Sequence, residues 1–132
     1  MSARSFSILA GGTLSASGGS AVTYADDGLT VQNGVHVVDT SATDMRIQPS
    51  ITLQNRKATL RNGLYINKDK RSAVVQIPLL KTDGTVVNNL VRIERELDPS
   101  TTAAQALEIT LRAAQTLFDS ELASFWATGS VS

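Results

Sequence analysis

Residues 91–105 run Val91-Arg92-Ile93-Glu94-Arg95-Glu96-Leu97-Asp98-Pro99-Ser100-Thr101-Thr102-Ala103-Ala104-Gln105, and two periods meet inside them. Up to Leu97 apolar and charged residues alternate, with Val91, Ile93 and Leu97 opposed to Arg92, Glu94 and Glu96, which is the period of a strand with one dry and one wet face. Proline at 99 cannot continue a ladder. Beyond it Thr102 and Gln105 have the spacing of a capping box, in which each side chain satisfies a backbone N–H of the other at a helix start. Ala103, Ala106, Leu107, Leu111, Ala114, Leu117 and Phe118 then recur at three- and four-residue steps, an apolar stripe along a helix. Asp119 or Ser120 can cap a second, shorter helix carrying Leu122, Phe125 and Trp126, ending near Gly129. The fold class is therefore α+β, with strands first and helices last.

Upstream of this junction four pairs, Asp27-Gly28, Asn33-Gly34, Asn62-Gly63 and Asp83-Gly84, suit the positive φ angles of tight turns between antiparallel strands. The alternation between them predicts strands at about 4–9, 21–25, 29–32, 35–39, 45–54, 57–61, 64–66, 71–80 and 86–97, arranged as an antiparallel meander. The Gly- and Ser-rich stretch 11–20 lacks the GxxxxGK[ST] pattern of a phosphate-binding loop and is expected to be a hairpin or loop. At 132 residues the whole chain, 1–132, is expected to be one domain.

Cysteine is absent, which excludes disulfides and thiolate metal sites. No stretch approaches the roughly 20 apolar residues of a membrane span, and Met1 to Ala10 lacks the pattern of a secretory signal, so a soluble, unexported protein without a membrane partner is expected. Twelve basic and twelve acidic residues cancel. Bulk charge is thus not available for coating nucleic acid, but it is unevenly spread. Arg56, Lys57, Arg61, Lys68, Lys70 and Arg71 share sixteen residues with one acid, Asp69, so any polyanion contact is expected there.

Catalysis finds little material. The sole histidine, His36, lies on a predicted strand with no second metal-ligand type at a ligating spacing, and is expected to be structural. Asp26 and Asp27 precede Gly28 and suit a turn better than a cation site. Glu94 and Glu96 share a strand face but are interleaved with Arg92 and Arg95, which fits ion pairing rather than an acid and base pair. No enzyme activity, cofactor or metal is expected.

Binding finds more. Alternation sets Lys57, Thr59 and Arg61 opposite Ala58 and Leu60; it groups Lys70, Ser72, Val74 and Gln76; and it sets Arg92, Glu94 and Glu96 opposite Val91, Ile93 and Leu97. If these strands are neighbours, one side of the sheet is polar and the other is left for helices to cover. Lys and Arg for phosphates, with Thr, Ser and Gln for bases, are the groups an open sheet uses on RNA. Tyr65 is the one aromatic near the patch, so extensive base stacking is not expected.

The run Asn67-Lys68-Asp69-Lys70-Arg71-Ser72-Ala73-Val74-Val75-Gln76-Ile77-Pro78, then a loop, a strand ending Glu96-Leu97-Asp98-Pro99, and two helices, resembles the coat proteins of small single-stranded RNA bacteriophages, the levivirus family. The likeness covers about residues 56–132, with total length also agreeing. It implies an N-terminal hairpin, a five-stranded antiparallel sheet, and C-terminal helices that clasp a partner's sheet in an interlocked homodimer. It further implies an icosahedral virion shell assembled in a bacterial cytoplasm, with the sheets facing a single-stranded RNA genome, and an RNA hairpin bound as a translational repressor. RNA-facing positions carried over on the resemblance are Thr59, Arg61, Ser72, Val74, Arg92 and Glu94, to which the alternation adds Lys57 and Gln76. Val74 stands where the family pattern has a basic residue and Glu94 where it has a neutral polar one, which lowers the charge of the site. The resemblance assigns residues 81–89 to a polar loop around the shell's symmetry axes. A non-viral oligomeric β-sheet binding module or adaptor is the alternative.

Overall fold

The computed structural model describes residues 3–14 and 16–131, in two compact units. One, from Gly19 to Pro99, is the sheet. Its strands are β1 (Tyr24–Asp26), β2 (Gly34–Asp39), β3 (Ser50–Arg56), β6 (Asp69–Leu80) and β7 (Val86–Leu97), hydrogen-bonded antiparallel in that order. The two missing numbers, β4 (Leu60–Arg61) and β5 (Leu64–Tyr65), form a separate two-stranded hairpin between β3 and β6. The meander and the antiparallel sheet followed by helices are as the alternation implies.

The long ladder is β6 on β7, in register from Asp69 opposite Leu97 to Leu80 opposite Val86. Twelve residues on each side are joined by Lys81–Thr85 alone. Asp83 closes this turn by accepting hydrogen bonds from the Thr85 hydroxyl at 2.6 Å and the Thr85 N–H at 3.0 Å, while Gly84 takes the positive φ of 89°. The polar loop assigned to 81–89 is a shorter turn, because Val86 to Asn89 are already in the ladder.

Other boundaries shift for identifiable reasons. Residues 4–9, expected as a strand, carry only an isolated bridge at Ser5, and 29–32 form no strand. The strand expected from 45 begins at Ser50, because Asp44 caps a 3-10 turn at Met45–Ile47, its side chain accepting from the Arg46 N–H. The run 57–61 is strand only at Leu60 and Arg61. There the Ala58 and Thr59 N–H groups donate to the side chains of Asp69 and Asn67, both at 2.6 Å, which draws the chain out of the main ladder.

The second unit joins the chain up to Gly18 with the chain from Ser100 on. Helix α1 (Ala103–Phe118) opens on the capping box: Thr102 Oγ1 accepts from the Gln105 N–H, and Gln105 Oε1 accepts from the Thr102 N–H. A 3-10 turn at Ser120–Leu122, capped by Asp119, leads into α2 (Ala123–Thr128), which Gly129 ends at φ 77°. The Trp126 indole N–H donates to the Thr116 carbonyl at 2.8 Å and ties α2 back to α1. Side chains of the helical region also hold the N-terminal segment. Gln115 both donates to the Leu9 carbonyl and accepts the Leu9 N–H, while Glu121 and Glu108 accept the N–H groups of Ser7 and Gly11.

Several turn carboxylates make stability sensitive to acid. The Thr85 hydroxyl and then its N–H hold Asp83 below its usual 3.8, the Ser41 hydroxyl and N–H do the same for Asp39, and the Arg46 side chain and N–H for Asp44. A depressed folded-state value contributes stability above the unfolded value, and that contribution is lost as pH falls through the folded one. Thermal melts should therefore be level near neutrality and drop below about pH 4. Asp83→Asn should show a smaller drop than the parent between neutral and acid pH.

Candidate nucleic-acid interface

Register across the sheet sorts its side chains into two faces, because residues directly opposite one another on neighbouring strands project the same way. One row runs His36, Thr52, Val74, Arg92; the next, Gly34, Gln54, Ser72, Glu94; a third, Arg56, Lys70, Glu96. All three rows lie on one face, which is polar. The alternate rows, such as Val37, Ile51, Val75, Val91 and Val35, Leu53, Ala73, Ile93, make the other face apolar, with Arg71 and Arg95 opposed at its end.

Of the residues singled out from the sequence, Ser72, Val74, Gln76, Arg92 and Glu94 come together on the polar face of β6 and β7. Lys57, Thr59 and Arg61 do not join them. Lys57 and Thr59 lie outside any strand and Arg61 is on the β4–β5 hairpin. The strand beside β6 is β3, so Thr52, Gln54 and Arg56 occupy the place expected for that trio. Their signal was present, since Ser50-Ile51-Thr52-Leu53-Gln54 alternates as regularly as 57–61.

His36 is the other addition. Its row neighbour is Thr52, and its Nδ1 lies 2.9 Å from Asp27 Oδ2. A carboxylate only accepts, so the ring donates from Nδ1, which fixes the tautomer with Nε2 as the remaining polar atom. Asp27 is held below its usual 3.8 by the Leu29 N–H and then by His36. Asp26 and Asp27 are turn carboxylates, accepting from the N–H groups of Gly28 and Leu29.

Charge on this face is nearly balanced. Lys70 Nζ is paired with Glu94 Oε1 at 3.2 Å, across a diagonal of the ladder. Arg92 is exposed, and Glu94 and Glu96 follow it on the same strand face. A shallow groove at one end is lined by Asn33, Gln54, Arg56, Lys70, Ser72 and Glu94. Amides, a hydroxyl and both signs of charge suit hydrogen bonding to base edges and ribose, with phosphate contact from Arg56 and Arg92.

No family model matches the sequence, and no curated protein does. Solved structures do. A chain of the virus-like particle of bacteriophage GQ-907 is 36% identical, covers 98% of this chain and 98% of its own, and superposes with a TM-score of 0.91. Chains of the virus-like particles of bacteriophage AVE019 and Beihai levi-like virus 21 are 12% and 11% identical, with TM-scores of 0.65 and 0.62. They cover 84% and 83% of this chain, and 87% and 86% of their own, and share its fold.

Gly34 sets how closely β2 approaches β3. A Cβ there would run into the Leu53 carbonyl oxygen and press on the Gln54 Cα at 3.0 Å, so only glycine lets β2 lie this close to β3. Gly34→Ala should cost about 1–3 kcal/mol, as overpacking does. Denaturant melts would measure it.

Proposed function

The chain belongs to the coat-protein family of levi-like bacteriophages, and from that premise we propose that it is a capsid subunit that pairs with itself, tiles a closed icosahedral shell and packages single-stranded RNA. It is a structural protein and not a catalyst. Assembly takes place in the bacterial host's cytoplasm.

The observation that carries the pairing is how little one chain buries. Among the described residues Leu122, at 4% exposure, is the one buried apolar side chain. On the apolar sheet face Ile77 is 57% exposed and Val91 51%, and Leu107 and Phe118 on the helical stripe are exposed too. At about 25 cal/mol per Å² of apolar surface, leaving these groups in water forgoes much of the stabilisation a domain needs. A partner's helices laid over this face, and the same contact returned, would satisfy both chains at once. Such an isologous, obligate interface buries more than about 2,000 Å².

The polar face is then the side left for the genome. Thr52, Gln54, Ser72 and Arg92, with His36 beside them, are its contacts, and a hairpin operator is a narrower use of the same surface. The balanced charge of this face supports hydrogen-bonded reading over tight electrostatic capture.

Val91→Asp separates this reading from that of a monomeric binding module. In a lone chain the position is half exposed and tolerates a carboxylate; in a closed dimer the charge is buried without a partner, at several kcal/mol. Sedimentation should give no folded 14 kDa species for the parent and loss of the dimer for the variant. Electron microscopy of the parent should show uniform RNA-containing shells, and a small monodisperse oligomer in their place would remove the coat reading.

A further inference from the structure

We propose that the β4–β5 hairpin, with its root from Arg56 to Asp69, is a second RNA contact, meeting the sheet face at Arg56 and extending beyond it, that holds single-stranded RNA by charge. The inference rests on the RNA-packaging reading above.

Charge is what distinguishes this segment. Arg56, Lys57, Arg61 and Lys68 stand in it with one acid, Asp69, in a chain whose total is zero, so the remainder is net negative. The acid is already engaged, since Asp69 Oδ1 accepts the Ala58 N–H at 2.6 Å. Among the described residues Lys57, Arg61 and Lys68 are all exposed and enter none of the ion pairs, whereas Lys70 on the sheet face is paired with Glu94. A polyanion therefore meets its strongest attraction on the hairpin, not on the balanced sheet face.

Geometry makes it an arm of fixed shape. Leu60 pairs with Tyr65 and Arg61 with Leu64, and the Ile66 N–H donates to the Thr59 carbonyl at 2.9 Å. Asn62 and Gly63 close it at φ 53° and 77°, the positive pair that a two-residue hairpin turn requires. At its root Asn67 and Asp69 accept the Thr59 and Ala58 N–H groups, and Arg56 Nη2 donates to the Lys68 carbonyl at 3.4 Å. Register puts Arg61 on the face of Leu64, and Tyr65 with Leu60 on the other. Leu64 is 72% exposed and Tyr65 57%, so the ring is available for a base to stack on while the cations take neighbouring phosphates.

Single-strand binding loses about 0.7 in the slope of log K against log salt for each phosphate contact removed. The test uses purified full-length protein and a polyuridine oligomer, with filter binding across a salt series. Lys57→Ala, Arg61→Ala and Lys68→Ala combined should flatten the slope by about 2. Arg92→Ala should flatten it by about 0.7 or less. Lys57→Arg, Arg61→Lys and Lys68→Arg combined, which keeps the charge, should retain the parental slope. Leu64→Ser should still form shells. A parental slope in the triple alanine variant, while parental shells contain RNA, overturns the hairpin inference and leaves the packaging reading standing. Loss of shells in Leu64→Ser with RNA binding intact overturns it too, and makes the arm a contact between copies. Parental shells free of RNA overturn both.

Discussion

An antiparallel sheet with one wet face is stable only when the other is kept dry, and this chain carries that requirement further than it meets it. β3, β6 and β7 turn Ile51, Leu53, Val75, Ile77, Val91 and Ile93 to one side, yet several of these are as exposed as surface residues. The helices repeat the pattern, with a regular apolar stripe whose Leu107 and Phe118 remain in water. On the proposed pairing, folding and association are aspects of one process: the apolar area that stabilises the sheet would be the area that binds the partner, and stability would depend on protein concentration as well as sequence.

Segregation of charge follows from the same two-sided plan. On the proposed packaging of RNA, a surface that approaches a polyanion in a chain with no net charge can place its cations together or balance them locally. Both solutions occur here. On the sheet, Lys70 and Glu94 cancel across a diagonal, with amides and hydroxyls as the neutral polar groups beside them. In the excursion between β3 and β6, cations accumulate with their one acid tied to a backbone amide. An assembly built this way is less exposed to non-specific polyanions than one coated uniformly in lysine.

Much of the architecture was legible in the sequence where a periodic signal was long. β7 spans 86–97 as its alternation implies, β6 exceeds its expected bounds by two residues, and α1 starts on the capping box Thr102 announces. Short signals failed where distant side chains decide the outcome. Five alternating residues at 57–61 look like a sheet strand, but Asp69 and Asn67 take their amides and lift them out. Phe6 and Ile8 alternate too, yet side chains about a hundred residues away hold that segment. The candidate interface was half visible for the same reason. Its β6 and β7 residues were found, its β3 residues were passed over for a run of equal periodicity and greater charge, and His36 was set aside because its row neighbours emerge only from register.

The N-terminal segment shows where its positional information resides. Leu9 is held by both polar groups of its backbone to a single Gln115 side chain, which acts as a strand edge would, and Ser7 and Gly11 are held through their N–H groups by Glu121 and Glu108. The recognised groups are peptide atoms, common to every residue, while the recognising groups are specific side chains on the helical region. Gly11 keeps a constraint of its own, its φ of 67°. Elsewhere the segment's address is written in the C-terminal third of the chain, so residues 7 and 9 can drift in identity without losing their place, whereas Gln115 cannot.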